Sequence, residues 1–144
     1  MSLDDSPLLF RYPSKRLRLL ELRAFLEDVT RRIARKRNIT CLIADDRELR
    51  RLNRKFRNQN YATDVLSFPS DDGGEIAISL DRAAAQAEEY GHALADEIRI
   101  LMLHGVLHLT GMDHETDSGE MAKAEMRWRR RLGLPCGLIE RARK

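Results

Sequence analysis

No run in this chain approaches the roughly 20 apolar residues that a bilayer-crossing helix needs, which excludes a helical membrane span. The first seven residues, MSLDDSP, are acidic and lack the apolar centre of a signal peptide, so the expected compartment is the cytoplasm. Cysteine is nearly absent. Cys41 and Cys136 cannot build a disulfide framework, and a reduced interior accounts for both. Cys41 lies in an apolar stretch and is expected in the core, while nothing near Cys136 has the spacing of a metal ligand. Repeats, low-complexity tracts and linkers are also missing, so the 144 residues read as one domain able to bury a real core. Histidine is scarce as well, yet three of the four histidines fall inside eleven residues.

That segment is HGVLHLTGMDH, residues 104–114. His104 and His108 are four apart, so on a helix they project from one face. Gly111 offers a helix stop after which the chain can fold back and bring His114 to the same point. Three imidazoles converging with a fourth position open is how a catalytic zinc is held. A shared metal also removes the cost, on the order of 1–3 kcal/mol each, of burying uncompensated imidazoles in an apolar helix. His104, His108 and His114 are therefore the expected metal ligands, with one zinc ion as the expected cofactor. His92 stands at a helix–helix turn and reads as a solvated loop residue.

Charge is unevenly spread behind a net value of +3. Residues 1–70 carry 16 Lys/Arg against 9 Asp/Glu, and residues 71–144 carry 10 against 14. A basic half beside a metal motif suggests a polyanionic substrate, with nucleic acid the obvious candidate.

Periodicity supplies the elements. An edge strand is expected in the apolar run at residues 8–12, ended by Pro13, with Ser14 capping the next helix. Residues 15–37 carry a helical stripe of Leu19, Leu22, Leu26, Val29 and Ile33 opposite a basic face. Residues 39–44 read as a strand covered on both sides. Asp45 and Asp46 begin a helix running to about Phe56, with Leu49, Leu52 and Phe56 inward. A polar loop at 57–64 follows, then a strand at 65–68 stopped by Pro69, a turn at 71–74 and a strand at 75–79, the two strands forming a hairpin. Helices are expected at 81–90, at 93–109 and from Glu120 to about Leu132, the last capped near Asp117 and followed by a short basic tail. The helix at 93–109 is apolar nearly all round and belongs in the middle of the structure. The expected fold is an α/β (α+β-like) single domain over residues 1–144, with a small mixed sheet of about four strands, about five helices and a histidine-bearing central helix.

The spacing His-x3-His-x5-His with an intervening Gly matches the metzincin protease pattern, except that the general-base Glu after the first histidine is here Gly105. Proteolysis is disfavoured on that ground, and the metal reads as preparing water for attack with other groups supplied from elsewhere.

The same block resembles the signature of the YbeY family of metal-dependent endoribonucleases. The resemblance extends through Leu52-Asn53, Phe56-Arg57, TDVLSFP at 63–69, Gly74-Glu75-Ile76, Ile78-Ser79 and Gln86-Ala87, followed by Gly91 and Glu97, in order over roughly residues 50 to 126. It implies a zinc-dependent, single-strand-specific endoribonuclease acting in rRNA maturation, late small-subunit 3′-end processing and ribosome quality control. It implies RNA, ribosomal subunits and ribosome-associated proteins as partners, with no membrane role. It makes His104, His108 and His114 the zinc ligands, with Arg57 and His114 catalytic. Three positions depart from the family's usual pattern: Asn60 where an acid is common, Ala62 where proline is common, and Met112 where an aromatic is common. The rival readings are a metalloprotease-like hydrolase and a ribosome-associated RNA-binding factor whose zinc is structural.

Overall fold

A computed structural model of the chain describes residues 8–10 and 17–142. The expected Ser14 cap, the Pro13 strand stop and residues 15–16 of the helix expected at 15–37 lie outside the described residues; residues 17 and 18 are not helical, and the helix begins at Leu19. Among the described residues, four strands form one sheet in the order β1-β2-β4-β3, with β1 Leu8–Phe10, β2 Asn38–Ala44, β3 Val65–Ser70 and β4 Gly73–Ser79. β2 runs parallel to both β1 and β4, and β3 closes the far edge as the antiparallel partner of β4. Among the described residues there are six α-helices: α1 Leu19–Val29, α2 Asp46–Arg57, α3 Leu80–Tyr90, α4 Leu94–Leu109, α5 Glu120–Leu132 and α6 Leu138–Ala142, of which α1 to α4 pack on the sheet while α5 and α6 pack on α4. The architecture is the mixed α/β arrangement expected, with α6 standing where a basic tail was expected. No helix among the described residues is long and apolar enough to cross a membrane.

Alternation along β2 divides the interior in two. Ile39, Cys41 and Ile43 face the main core, which β4 joins through Ile76 and Ile78 and the helices through Leu22, Leu26, Ile98 and Leu101. The other face carries Ala44, Ala77 and Leu66, covered by Leu49 of α2. Over its C-terminal half α4 is buried on every side, from Ile100 through Leu107, as a helix without a polar face must be. Cys41 is fully buried, and burial pushes its thiol up to about 12. The native protein is therefore expected to leave Cys41 unmodified by iodoacetamide at about pH 8, with labelling appearing on unfolding. Peptide mass spectrometry reads this directly, and rapid native labelling would contradict the assigned core position.

Several boundaries differ from the periodic reading, each for a local reason. The helix expected to run to 37 leaves α-geometry at Thr30 and continues as a π-helical turn, Thr30–Ala34. One extra residue per turn moves the stripe from Val29 to Ala34, which is buried, and leaves Ile33 only partly covered. Leu19 at the helix start is 38% exposed. The strand expected to stop at Pro69 continues to Ser70, because β3 is an edge strand and an edge can spare the missing N–H. Phe56 is 59% exposed instead of inward, resting edge-on against Phe68 at 5.4 Å. Asp45 caps α2 as expected by accepting from the Glu48 N–H, and Asp117 accepts from the N–H groups of Gly119 and Met121 at the start of α5.

Candidate metal centre

The last turns of α4 carry His104 and His108 on one face, their rings 4.7 Å apart between centroids. After Leu109 the helix stops. The Gly111 N–H reaches the His108 carbonyl at 2.9 Å, and Gly111 takes a φ of +102°, a conformation that side chains other than glycine rarely adopt. The reversal returns His114 to within 5.2 Å of His104 and 5.3 Å of His108, ring to ring. One ligand atom from each of the three lies within 4.8 Å of the others.

The surroundings settle which nitrogens are free on two of the rings. His108 Nδ1 donates to the Met112 carbonyl at 2.9 Å, and His104 Nδ1 donates to Glu125 Oε2 at 2.8 Å, so Nε2 is open on both. His114 Nδ1 is buried with no hydrogen-bond partner among the described residues. Burial and the neighbouring His104 hold the His108 pKa below its ordinary value, which keeps the ring neutral and able to ligate. Three converging imidazoles, two of them oriented from behind, fit a borderline cation such as zinc.

Sequence reasoning missed Glu125, which is 1% exposed and accepts a second hydrogen bond from the Ile139 N–H at 2.7 Å. The signal was present: Met121, Ala124, Glu125 and Trp128 form the inward stripe of α5, and an acid there needs a buried partner.

The three histidines open on a cleft of about 930 Å³, walled also by Arg57, Tyr61, Ser67, Asp113 and Ile139. Arg57 was expected in a polar loop. It is instead the last residue of α2, because Asn58 adopts the left-handed conformation and closes the helix. Its Nη2 donates to the Ser67 carbonyl at 3.0 Å. Buried Asn53 fastens the following loop by donating to the Tyr61 carbonyl and accepting from the N–H groups of Asn58 and Gln59.

A sequence model of the family described as Endoribonuclease YbeY matches residues 14–133. The chain belongs to the YbeY family. It is 54% identical over 140 residues to the Endoribonuclease YbeY of Solibacter usitatus, covering 96% of this chain and 95% of that one. With the Endoribonuclease YbeY of Koribacter versatilis it shares 53% identity over 109 residues, or 74% and 72% of the two chains. The solution structure of TM1509 from Thermotoga maritima superposes with a TM-score of 0.60 at 28% identity, covering 89% of this chain and 93% of that one.

Within this YbeY chain, position 105 also speaks against a protease. A Cβ on Gly105 would lie 2.9 Å from Ile76 Cδ1, so the position faces the sheet and not the cleft. Of the three departures from the family pattern, Met112 supplies the carbonyl that orients His108, Asn60 accepts from Arg50 Nε at 3.0 Å, and Ala62 is half-buried.

His92 corrects the reading as a solvated loop residue. Its side chain is 8% exposed, and Nε2 lies 2.7 Å from Oε1 of Glu97, itself fully buried on α4. The other partner of Glu97 is Arg141 of α6, which binds both carboxylate oxygens, reaches Gln86 Oε1 and lies 4.4 Å from the Tyr90 ring. Cys136 stands at the edge of this network, 4.0 Å from Arg141 Nη1, and outside the histidine group.

Proposed function

We infer that the protein is a zinc-dependent endoribonuclease cutting single-stranded RNA. It acts as one cytoplasmic domain over residues 1–144 in the maturation of rRNA, at the 3′ end of the small-subunit species, and in ribosome quality control. Ribosomal subunits and ribosome-associated proteins are its partners in this reading. The observation that carries it is the opening of three imidazoles and Arg57 on one cleft in a chain of an endoribonuclease family.

In this assignment His104, His108 and His114 hold the ion, the first two through Nε2. A bound zinc supplies Lewis acidity and makes water a competent nucleophile near neutral pH. Arg57 is the phosphate clamp: its planar fork donates to two oxygens at once and stabilises charge that grows as the phosphodiester is attacked. Its hydrogen bond to the Ser67 carbonyl holds the guanidinium against β3, so little freedom is lost when substrate binds. His114, on the turn beyond Gly111, serves both as ligand and as the catalytic imidazole at the cleft.

The test is cleavage of a single-stranded RNA by wild type, His108→Ala and Arg57→Ala, with metal content measured in each. Chelation and His108→Ala should abolish cleavage along with bound zinc. Arg57→Ala should keep the zinc and lose about 10²-fold in rate, the scale of one transition-state donor. A 2′,3′-cyclic phosphate product would assign attack to the RNA's own 2′-hydroxyl. If metal-loaded wild type leaves RNA intact and chelation only melts the fold, the zinc is structural and the nuclease assignment fails.

A further inference from the structure

Positive charge gathers where the π-helical end of α1 approaches α5, at a place the cleft chemistry does not use. Five of the seven residues from 31 to 37 are Arg or Lys, and Asp28 is shared between two of them, Arg31 and Arg32. On α5, Lys123, Arg127 and Arg131 are exposed along one face at four-residue spacing. The one acid of that helix beyond its first residue is Glu125, turned inward to His104 and Ile139. Trp128 joins the two elements. The guanidinium carbons of Arg32 and Arg131 lie 5.3 and 5.1 Å from its ring centroid. Cation–π contact orders both guanidiniums on the one indole, and Asp28 pairs with Arg32 alone of the two. The adjoining turn is strained: Arg35 is held at φ 49°, ψ −116°, outside the regions that L residues prefer.

We propose that this Arg32–Trp128–Arg131 patch, with Arg35 and Lys36 beside it, is a second RNA contact that grips the backbone of a strand being cut in the cleft. It rests on the endoribonuclease reading and adds where the substrate is held away from the scissile bond. Arginine stacked on an aromatic ring keeps its N–H edge outward and already ordered, which suits bidentate capture of phosphates. The outer face of such a guanidinium also accepts an unstacked base. Cations repeated along two elements match a chain of evenly spaced anions better than they match one acidic side chain. The patch is also fastened to the end of the metal-site helix. Arg37 Nη1 donates to the Leu109 carbonyl at 2.9 Å, two residues before Gly111 in the cleft wall, and α5 holds His104 through Glu125.

The experiment compares wild type with Arg32→Gln/Arg131→Gln, both zinc-loaded and matched in melting temperature. The substrates are a single-stranded RNA of about 5 nucleotides and one of about 20. On the long RNA the variant should show a KM raised about 10-fold with kcat unchanged. The slope of log KM against log salt should be shallower by about 1.4, from two phosphate contacts at about 0.7 each. Kinetics on the short RNA should not change, and Arg32→Lys/Arg131→Lys, which keeps the charges without the planar forks, should restore the salt slope but recover only part of the KM loss. An unchanged KM on the long RNA overturns the proposal, as does a variant that loses affinity for polyglutamate but not for RNA. If wild type cuts neither RNA, the nuclease reading falls separately. The patch then stands or falls on fluorescence anisotropy with the long RNA, where equal affinity of wild type and variant overturns it.

Discussion

Glu125→Ala is expected to lower metal affinity 10- to 100-fold and stability by about 2–4 kcal/mol, although residue 125 is no ligand in the proposed site. The affinity loss follows from His104. Its Nδ1–H loses the carboxylate that fixes the tautomer, aims the ring and raises the basicity of Nε2. The stability loss follows from two donors, His104 Nδ1 and the Ile139 N–H, left buried without an acceptor at about 1–3 kcal/mol each. Release of a buried carboxylate from its desolvated position offsets part of that sum. Glu125→Gln separates the two effects. A neutral amide has one oxygen where the carboxylate has two, so one of the two donors keeps its partner and about half the stability loss remains. The imidazole still loses its anionic neighbour, so the affinity loss persists. Thermal unfolding with excess chelator reads the first effect, and competition with a chelator of known zinc affinity reads the second. Wild-type zinc affinity in Glu125→Ala would remove Glu125 from the site.

The histidine block was legible because its geometry is local. Spacing of four puts two rings on one helix face, and Gly111 permits the reversal that returns the third. Caps were legible for the same reason, as Asp45 shows. Features fixed by distant partners were not. Pro69 reads as a stop until β3 is known to be an edge strand, and Phe56 reads as core until the small cluster under α2 is seen to end at Leu52. A π-turn has no periodic signature of its own, so the stripe of α1 seemed to continue through Ile33. Arg57 lay inside the motif, but its place at the end of α2 depends on Asn58 doing what glycine usually does. Most distant of all is α6. Its five residues include Glu140 and Arg141 and read as solvated tail, because the acid that buries Arg141 is 44 positions away.

Arg141→Met is expected to destabilise the protein by about 3–5 kcal/mol, the usual cost of removing one partner from a buried ion pair. Burial works against the Arg141 charge, but the hydrogen bonds and charge of Glu97 outweigh it and raise the pKa, so Arg141 remains cationic. Without it, the Glu97 carboxylate stays fully buried with His92 as its neighbour, and Gln86 Oε1 loses a donor. At this chain length the loss corresponds to a melting temperature lower by roughly 10–15 °C. Glu97→Leu alone strands the guanidinium in the same way. The double variant Glu97→Leu/Arg141→Met removes both charges, so it should be more stable than either single variant, with a coupling energy of about 2 kcal/mol. The effect should reach the metal centre because α6 is pinned twice, at its start through Ile139 to Glu125 and at its end through Arg141 to Glu97. Loosening the second pin weakens the first, so Arg141→Met should lower zinc affinity, by less than Glu125→Ala does. The double variant loses the second pin as well. If the metal site needs the ion pair and not merely a packed helix end, stability will return in the double variant without affinity. Additive losses in the two single variants would instead mean that Glu97 and Arg141 act independently.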